Sequence, residues 1–180
     1  MAEFFDHITD KIAEFIAEQP MFFTGTACDT GRVNVSPKGI DTFRVLGPNL
    51  CGYLDLTGSG NETAAHIKND GRLTFMFNSF SRKALILRLY GKGRVLRPQH
   101  AEYSKFEGKF PSLVGQRQII LMDVESAQTS CGWAVPEMEL KNERQTYAKA
   151  VEKMGGEILH GAQQEGNIKS IDGFETGLND

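Results

Sequence analysis

The residues best suited to chemistry form a glycine-rich loop, Thr57-Gly58-Ser59-Gly60-Asn61, followed by Glu62 and Thr63 where a helical pattern begins. Free backbone N–H groups at a helix start, reinforced by the helix dipole, hold anions such as phosphate. Thr57, Ser59, Asn61 and Thr63 would add neutral side-chain donors to that cradle. The same residues also fit a structural role. Ser59 followed three positions later by Glu62 is the S-x-x-E capping box, and Asp70-Gly71 is a good helix stop. Locally both readings stay open. The loop lacks the third glycine of a dinucleotide fingerprint, and no lysine follows it as in a Walker loop.

A second group lies on the run 32–38, where Arg32, Asn34, Ser36 and Lys38 alternate with Val33, Val35 and Pro37 and share one side. They read either as the polar face of an outer strand or as a row of donors along a flat, acceptor-rich ligand. Pro37 removes a ladder donor and frees an edge. Positive charge gathers again at Arg82, Lys83 and Arg88, as a solvated turn or as a phosphate clamp. Trp133, the only tryptophan, follows Cys131 in SCGWAVP, where a buried aromatic would anchor the loop. Neither His7, His66, His100 nor His160 is placed to activate Cys131, and the histidines show no metal-ligand spacing, so no metal site is expected.

These residues belong to a chain of 180 residues with 40% hydrophobic and 24% charged content, expected to fold as a single domain over 1–180. A net charge of −3 without a basic block argues against nucleic-acid or polybasic membrane partners. The N-terminal segment is acidic and amphipathic rather than signal-like, and no apolar run approaches the ~18 residues of a membrane span. Three cysteines without metal spacing fit a reduced, cytoplasmic protein.

The elements that must position the loop follow from periodicity. Phe4, Phe5, Ile8, Ile12, Phe15 and Ile16 share a helical face, which predicts a helix over 3–18 ended by Pro20. Hairpin patterns follow over 21–36 and 41–56, then strands after the loop helix and a longer one over 84–96. In that last strand Leu85, Leu87, Leu89 and Val95 oppose Arg88, Tyr90, Lys92 and Arg94. Pro98 opens a predicted helix, 117–129 supplies a further strand, and a helical extension occupies about 139–180, broken at Gly155-Gly156. The fold class is mainly β, a small antiparallel barrel with peripheral helices.

In order along the chain, FFTGTA, VNVSPKG, DLTGSGNETAAHIKNDGRLTFMF, LRLYGKGRVL, SCGWAVP and NIKSIDGF resemble the pyridoxamine 5′-phosphate oxidase-like family of FMN-binding split barrels. The resemblance spans residues 21–178. It implies a six-stranded antiparallel split β-barrel and a homodimer with FMN in clefts at the interface. It further implies that Ser36, Lys38 and Asn34 run beside the flavin ring, with Lys38 near its N1–C2=O edge. By the same resemblance Thr57, Ser59, Gly60, Asn61 and Thr63 hold the ribityl and phosphate part. Arg88 turns toward the cofactor, and Arg82 or Lys83 supplies charge to the phosphate. Apart from the resemblance, the loop and aromatic surface of Trp133 make it a candidate for the substrate pocket over the ring. Glu62 and Thr63 stand where authentic pyridoxamine phosphate oxidases carry an arginine–lysine pair, and the C-terminus lacks their arginine- and histidine-bearing motif. An FMN-dependent oxidoreductase of an unidentified small molecule is therefore expected, with the phosphate held mainly by neutral donors. The alternatives are a flavin- or haem-binding carrier or sensor without turnover, and a deazaflavin reductase.

Overall fold

The computed structural model describes residues 2–180. The chain opens with a short strand, β1 (Glu3–Phe5), and the helix α1 (Asp10–Ala17). The alternating and apolar runs then form β2 (Phe22–Thr26), β3 (Asn34–Lys38), β4 (Phe43–Gly47) and β5 (Leu50–Leu56). Helix α2 (Glu62–Asn69) precedes β6 (Arg72–Asn78), β7 (Leu85–Leu96) and β8 (Gln116–Cys131). The order β3-β2-β6-β7-β8-β5-β4 is antiparallel throughout, with β1 added beside β8. Among the described residues no ladder joins β3 to β4, so the sheet is not closed.

The mainly antiparallel architecture matches the expectation, but the sheet has eight strands rather than six. The difference is clearest at the N-terminus, where the expected helix over 3–18 begins only at Asp10. β8 is 16 residues long and the seven-residue β5 pairs with it only up to Asp123, which leaves its far end open. Glu3–Phe5 fill that gap against Thr129, Gln128 and Ala127, and this pairing overrides the helical spacing of Phe4 and Phe5. Thr9 then caps α1, its Oγ1 accepting the Ile12 N–H at 3.3 Å.

The core is aromatic. The Phe22 ring lies 4.9 Å from Phe43, 5.5 Å from Tyr53 and Phe77, and 5.8 Å from Phe75, mostly edge to face. Helix α1 buries Ile12, Phe15 and Ile16 against the same cluster. A second cluster gathers Leu54, Leu96, Tyr103, Phe110, Ile119 and Leu121. Here the helix expected from Pro98 is replaced by two short 3-10 turns, Tyr103–Lys105 and Glu107–Lys109. Pro111 forces Phe110 to extended backbone (φ −110°, ψ 158°), which stops any longer helix.

Helix α2 sits where the candidate loop needs it because Gly93 of β7 has no side chain. A Cβ there would stand 2.7 Å from the Ile67 side chain. Gly71 at φ +82° turns the chain out of the helix, as the Asp70-Gly71 stop predicts. The C-terminal extension is helical only over α3 (Thr146–Met154) and α4 (Gly156–Gly166), separated by Gly155 at φ +79°. Residues 167–180 then run back over α2, tied by Lys68 to Asp180 at 2.5 Å and by Arg32 to Asp172. Among the described residues no helix is long and apolar enough to cross a membrane, and no cluster of metal-binding side chains forms.

Candidate functional site

Residues 36–38 of β3, residues 58–63 and the side chains of Asp55 and Arg117 enclose a cleft of about 290 Å³. The β2–β3 ladder, with Ser36 opposite Thr24 and Lys38 opposite Phe22, turns Ser36 and Lys38 to the same side. Asn34 lies on that side too but fastens the cleft rather than lining it. Its Nδ2 donates to Thr26 Oγ1 at 3.0 Å and Thr63 Oγ1 at 3.2 Å, and its Oδ1 accepts from Ser36 Oγ at 3.1 Å. β3 is thereby tied to the first turn of α2.

The floor is a buried ionic cluster centred on Asp55, which is 2% exposed. Its Oδ2 accepts from Arg117 Nη2 at 2.7 Å, Arg117 Nε at 3.2 Å and Gln118 Nε2 at 2.9 Å, while its Oδ1 accepts from Lys38 Nζ at 3.1 Å. Burial pushes the Asp55 carboxyl up, but the charges of Arg117 and Lys38 and these hydrogen bonds outweigh it and hold the group below the ordinary value of 3.8. Two cations share one carboxylate, so the floor keeps a net positive charge. Tyr53 Oη and Gln118 Oε1 are buried beside it without a hydrogen-bond partner among the described residues. Burial and the Asp55 charge push the Tyr53 phenol up.

The start of α2 differs from the expected capping box. The N-cap is Asn61, not Ser59, and no side chain caps the helix. The Asn61 amide is drawn into the buried network instead, with Oδ1 accepting from Gln118 at 2.7 Å and Nδ2 donating to the Asn167 carbonyl at 3.4 Å. Glu62 does not cap the helix either: it borders the cleft, and its Oε1 accepts the Ile171 N–H at 3.0 Å. The first-turn N–H groups of α2 therefore lack a side-chain cap beside Lys38 and Arg117, an arrangement that favours an anion.

The fold gathers Ser36, Lys38, Ser59, Gly60, Asn61 and Thr63 in one cleft and leaves the other expected residues outside it. Thr57 stands just behind the loop, donating to the Gly115 carbonyl at 3.0 Å and accepting from Gln163 at 2.7 Å. Arg82 is exposed in the turn between β6 and β7. Arg88, in mid β7, donates to Ser130 Oγ at 3.2 Å. Trp133 is 86% exposed, not a buried anchor. The expectation of mainly neutral donors also changes, since Arg117 brings a second cation to the cleft. Asp55, Arg117, Gln118 and Asn167 were missed. The signal was available: Asp55 interrupts the apolar run LCGYLDL, and Arg117-Gln118 open another, and charge inside a buried strand requires a partner.

The open antiparallel sheet, with this cleft at a helix start, is that of a split-barrel protein. The chain belongs to the pyridoxamine 5′-phosphate oxidase family, whose model matches residues 8–131. A pyridoxamine 5′-phosphate oxidase family protein of Aspergillus flavus, ustO, is 40% identical over 152 residues. That match covers 81% of this chain but only 61% of the fungal protein's length. Among solved structures, a HupZ variant of Group A Streptococcus aligns with a TM-score of 0.54 at 18% identity, over 68% of this chain and 99% of that one. A putative pyridoxamine 5′-phosphate oxidase of Lactobacillus delbrueckii gives the same TM-score and identity, over 68% of this chain and 94% of its own. At such identity these two structures speak for the fold alone.

Proposed function

We propose that this chain binds FMN, with the phosphate in the Ser36–Thr63 cleft, and acts as an oxidoreductase on a small molecule other than pyridoxamine phosphate. One observation carries the reading: two cations on a single buried carboxylate stand beside a helix start that no side chain caps. The residues present fit a phosphate group, because Lys38 and Arg117 outnumber the buried Asp55 on the floor, while the Glu62 carboxylate at the rim of the cleft is held by the Ile171 N–H. Lys38 and Arg117 supply charge, Ser36 and Thr63 supply hydroxyl donors, and the first-turn N–H groups of α2 complete the cradle. Lys38, tethered to Asp55, serves this anionic end, which replaces the ring-edge role expected from the resemblance. When bound, the flavin supplies hydride transfer. The protein's contribution is to orient it and to keep charge of the right sign beside it.

The proposed assembly is a homodimer. Val33 and Val35 on the edge strand and its approach, and Trp133, Met138 and Leu140 beyond β8, leave large apolar side chains 58–86% exposed. In such a dimer a second copy would bring Arg88 and Trp133 to the cofactor, which one chain alone does not do.

The purified protein is expected to carry or take up FMN and to show a flavin spectrum rather than a Soret band. Rapid mixing with NADH or NADPH then separates enzyme from carrier. Bleaching of the flavin absorbance supports turnover, and a bound flavin that neither donor reduces, even with candidate substrates present, contradicts the oxidoreductase reading.

A further inference from the structure

The loop at 57–61 is held from outside itself, on one side by Gly115, Arg117 and Gln118 and on the other by the C-terminal segment. Gln163, in the last turns of α4, donates from Nε2 to Thr57 Oγ1 at 2.7 Å. Asn167, which ends that helix and is 1% exposed, donates from Nδ2 to the Gly58 carbonyl at 3.2 Å. Its own carbonyl accepts from Asn61 Nδ2 at 3.4 Å and from Thr176 Oγ1 at 2.7 Å. Its Oδ1 accepts from Arg117 Nη1, which also donates to the Gly60 carbonyl at 3.1 Å. Both amide groups of Asn167 are thus used, one on the loop and one on the cation beneath it. Gln163 and Asn167 lie beyond the 8–131 module that the family model matches.

The geometry points to Asn167 as a positioning residue that sets the phosphate selectivity of the cleft, with Gln163 as its accessory; this rests on the FMN reading. Asn167 fixes Arg117 as a neutral acceptor would, without cancelling its charge. A carboxylate in its place would be a second anion on the same guanidinium and would abolish the positive excess of the floor. The carbonyls of Gly58 and Gly60 are both occupied by donors, one from Asn167 and one from Arg117. These bonds orient the adjoining peptides, so the cradle is preformed before a ligand arrives.

The test compares FMN with riboflavin, which lacks the phosphate, in the full-length protein. Asn167→Ala should weaken FMN about tenfold and Gln163→Ala a few-fold, with riboflavin changed by less than about twofold. Asn167→Asp should weaken FMN more than Asn167→Ala, because it adds charge of the wrong sign. A purely structural role would lower both flavins together, and that result, or no change in either, overturns the inference. If Asn167→Ala does not fold, Gln163→Ala decides by the same comparison. A wild-type protein that binds neither flavin overturns the FMN reading itself. A wild type that prefers FMN, with variants that keep the preference, overturns only the role of Asn167.

Discussion

Asp55→Asn is expected to destabilise the protein by about 3–5 kcal/mol, as removal of one partner from a buried ion pair does. Asp55 is 2% exposed and anchors both Arg117 and Lys38. An asparagine keeps the size but removes the charge, and it sets an amide NH2 among the donors of Arg117, Gln118 and Lys38. Two cations would then share a site without a counter-ion. Urea unfolding of the two proteins measures the difference, and a loss below about 1 kcal/mol would place the cluster among pairs of surface strength. The pH dependence gives an independent sign. The folded carboxyl lies below its ordinary value of 3.8, so its contribution is present above that value and is lost as pH falls through the lower folded one. Wild type should therefore lose stability below about pH 4. Asp55→Asn should lack this component of the acid loss.

Lys38→Met should weaken FMN by roughly 10- to 150-fold, the range for losing a hydrogen bond to a charged group. The side chain of Lys38 is 25% exposed, and Asp55 keeps Arg117 when Lys38 is gone, so folding should suffer far less than in Asp55→Asn. Riboflavin should bind almost equally to both proteins, and the salt dependence of FMN binding should fall with one cation removed. Paired isothermal titrations at two ionic strengths measure all three quantities. Equal losses for FMN and riboflavin would move Lys38 from the phosphate to the ring.

The strands were legible because alternation and apolar runs are local signals, and α2 was legible from Asp70-Gly71 behind it. Glu3–Phe5 were not, since their partner is the free end of a strand more than a hundred residues away in sequence. The capping box misled for the same reason. Ser59 and Glu62 have the right spacing, but Glu62 is taken by Ile171, 109 residues on, and Asn61 by Gln118, 57 residues on. Pairings at that range follow from the topology of β5, β8 and the C-terminal segment, not from neighbouring residue types. Ser36 and Lys38 were found from their alternation on one strand. Arg117 was not, because its role depends on β8 lying beside β5 so that Gln118 faces Asp55.

The central claim is that the cleft beside α2 holds the phosphate of a flavin. Titrating the purified protein with FMN, followed by quenching of flavin fluorescence and repeated with riboflavin, tests it most directly. Saturation at one FMN per chain and distinctly weaker binding of riboflavin are expected. Absence of saturable FMN binding, or equal affinity for the two flavins, would contradict it.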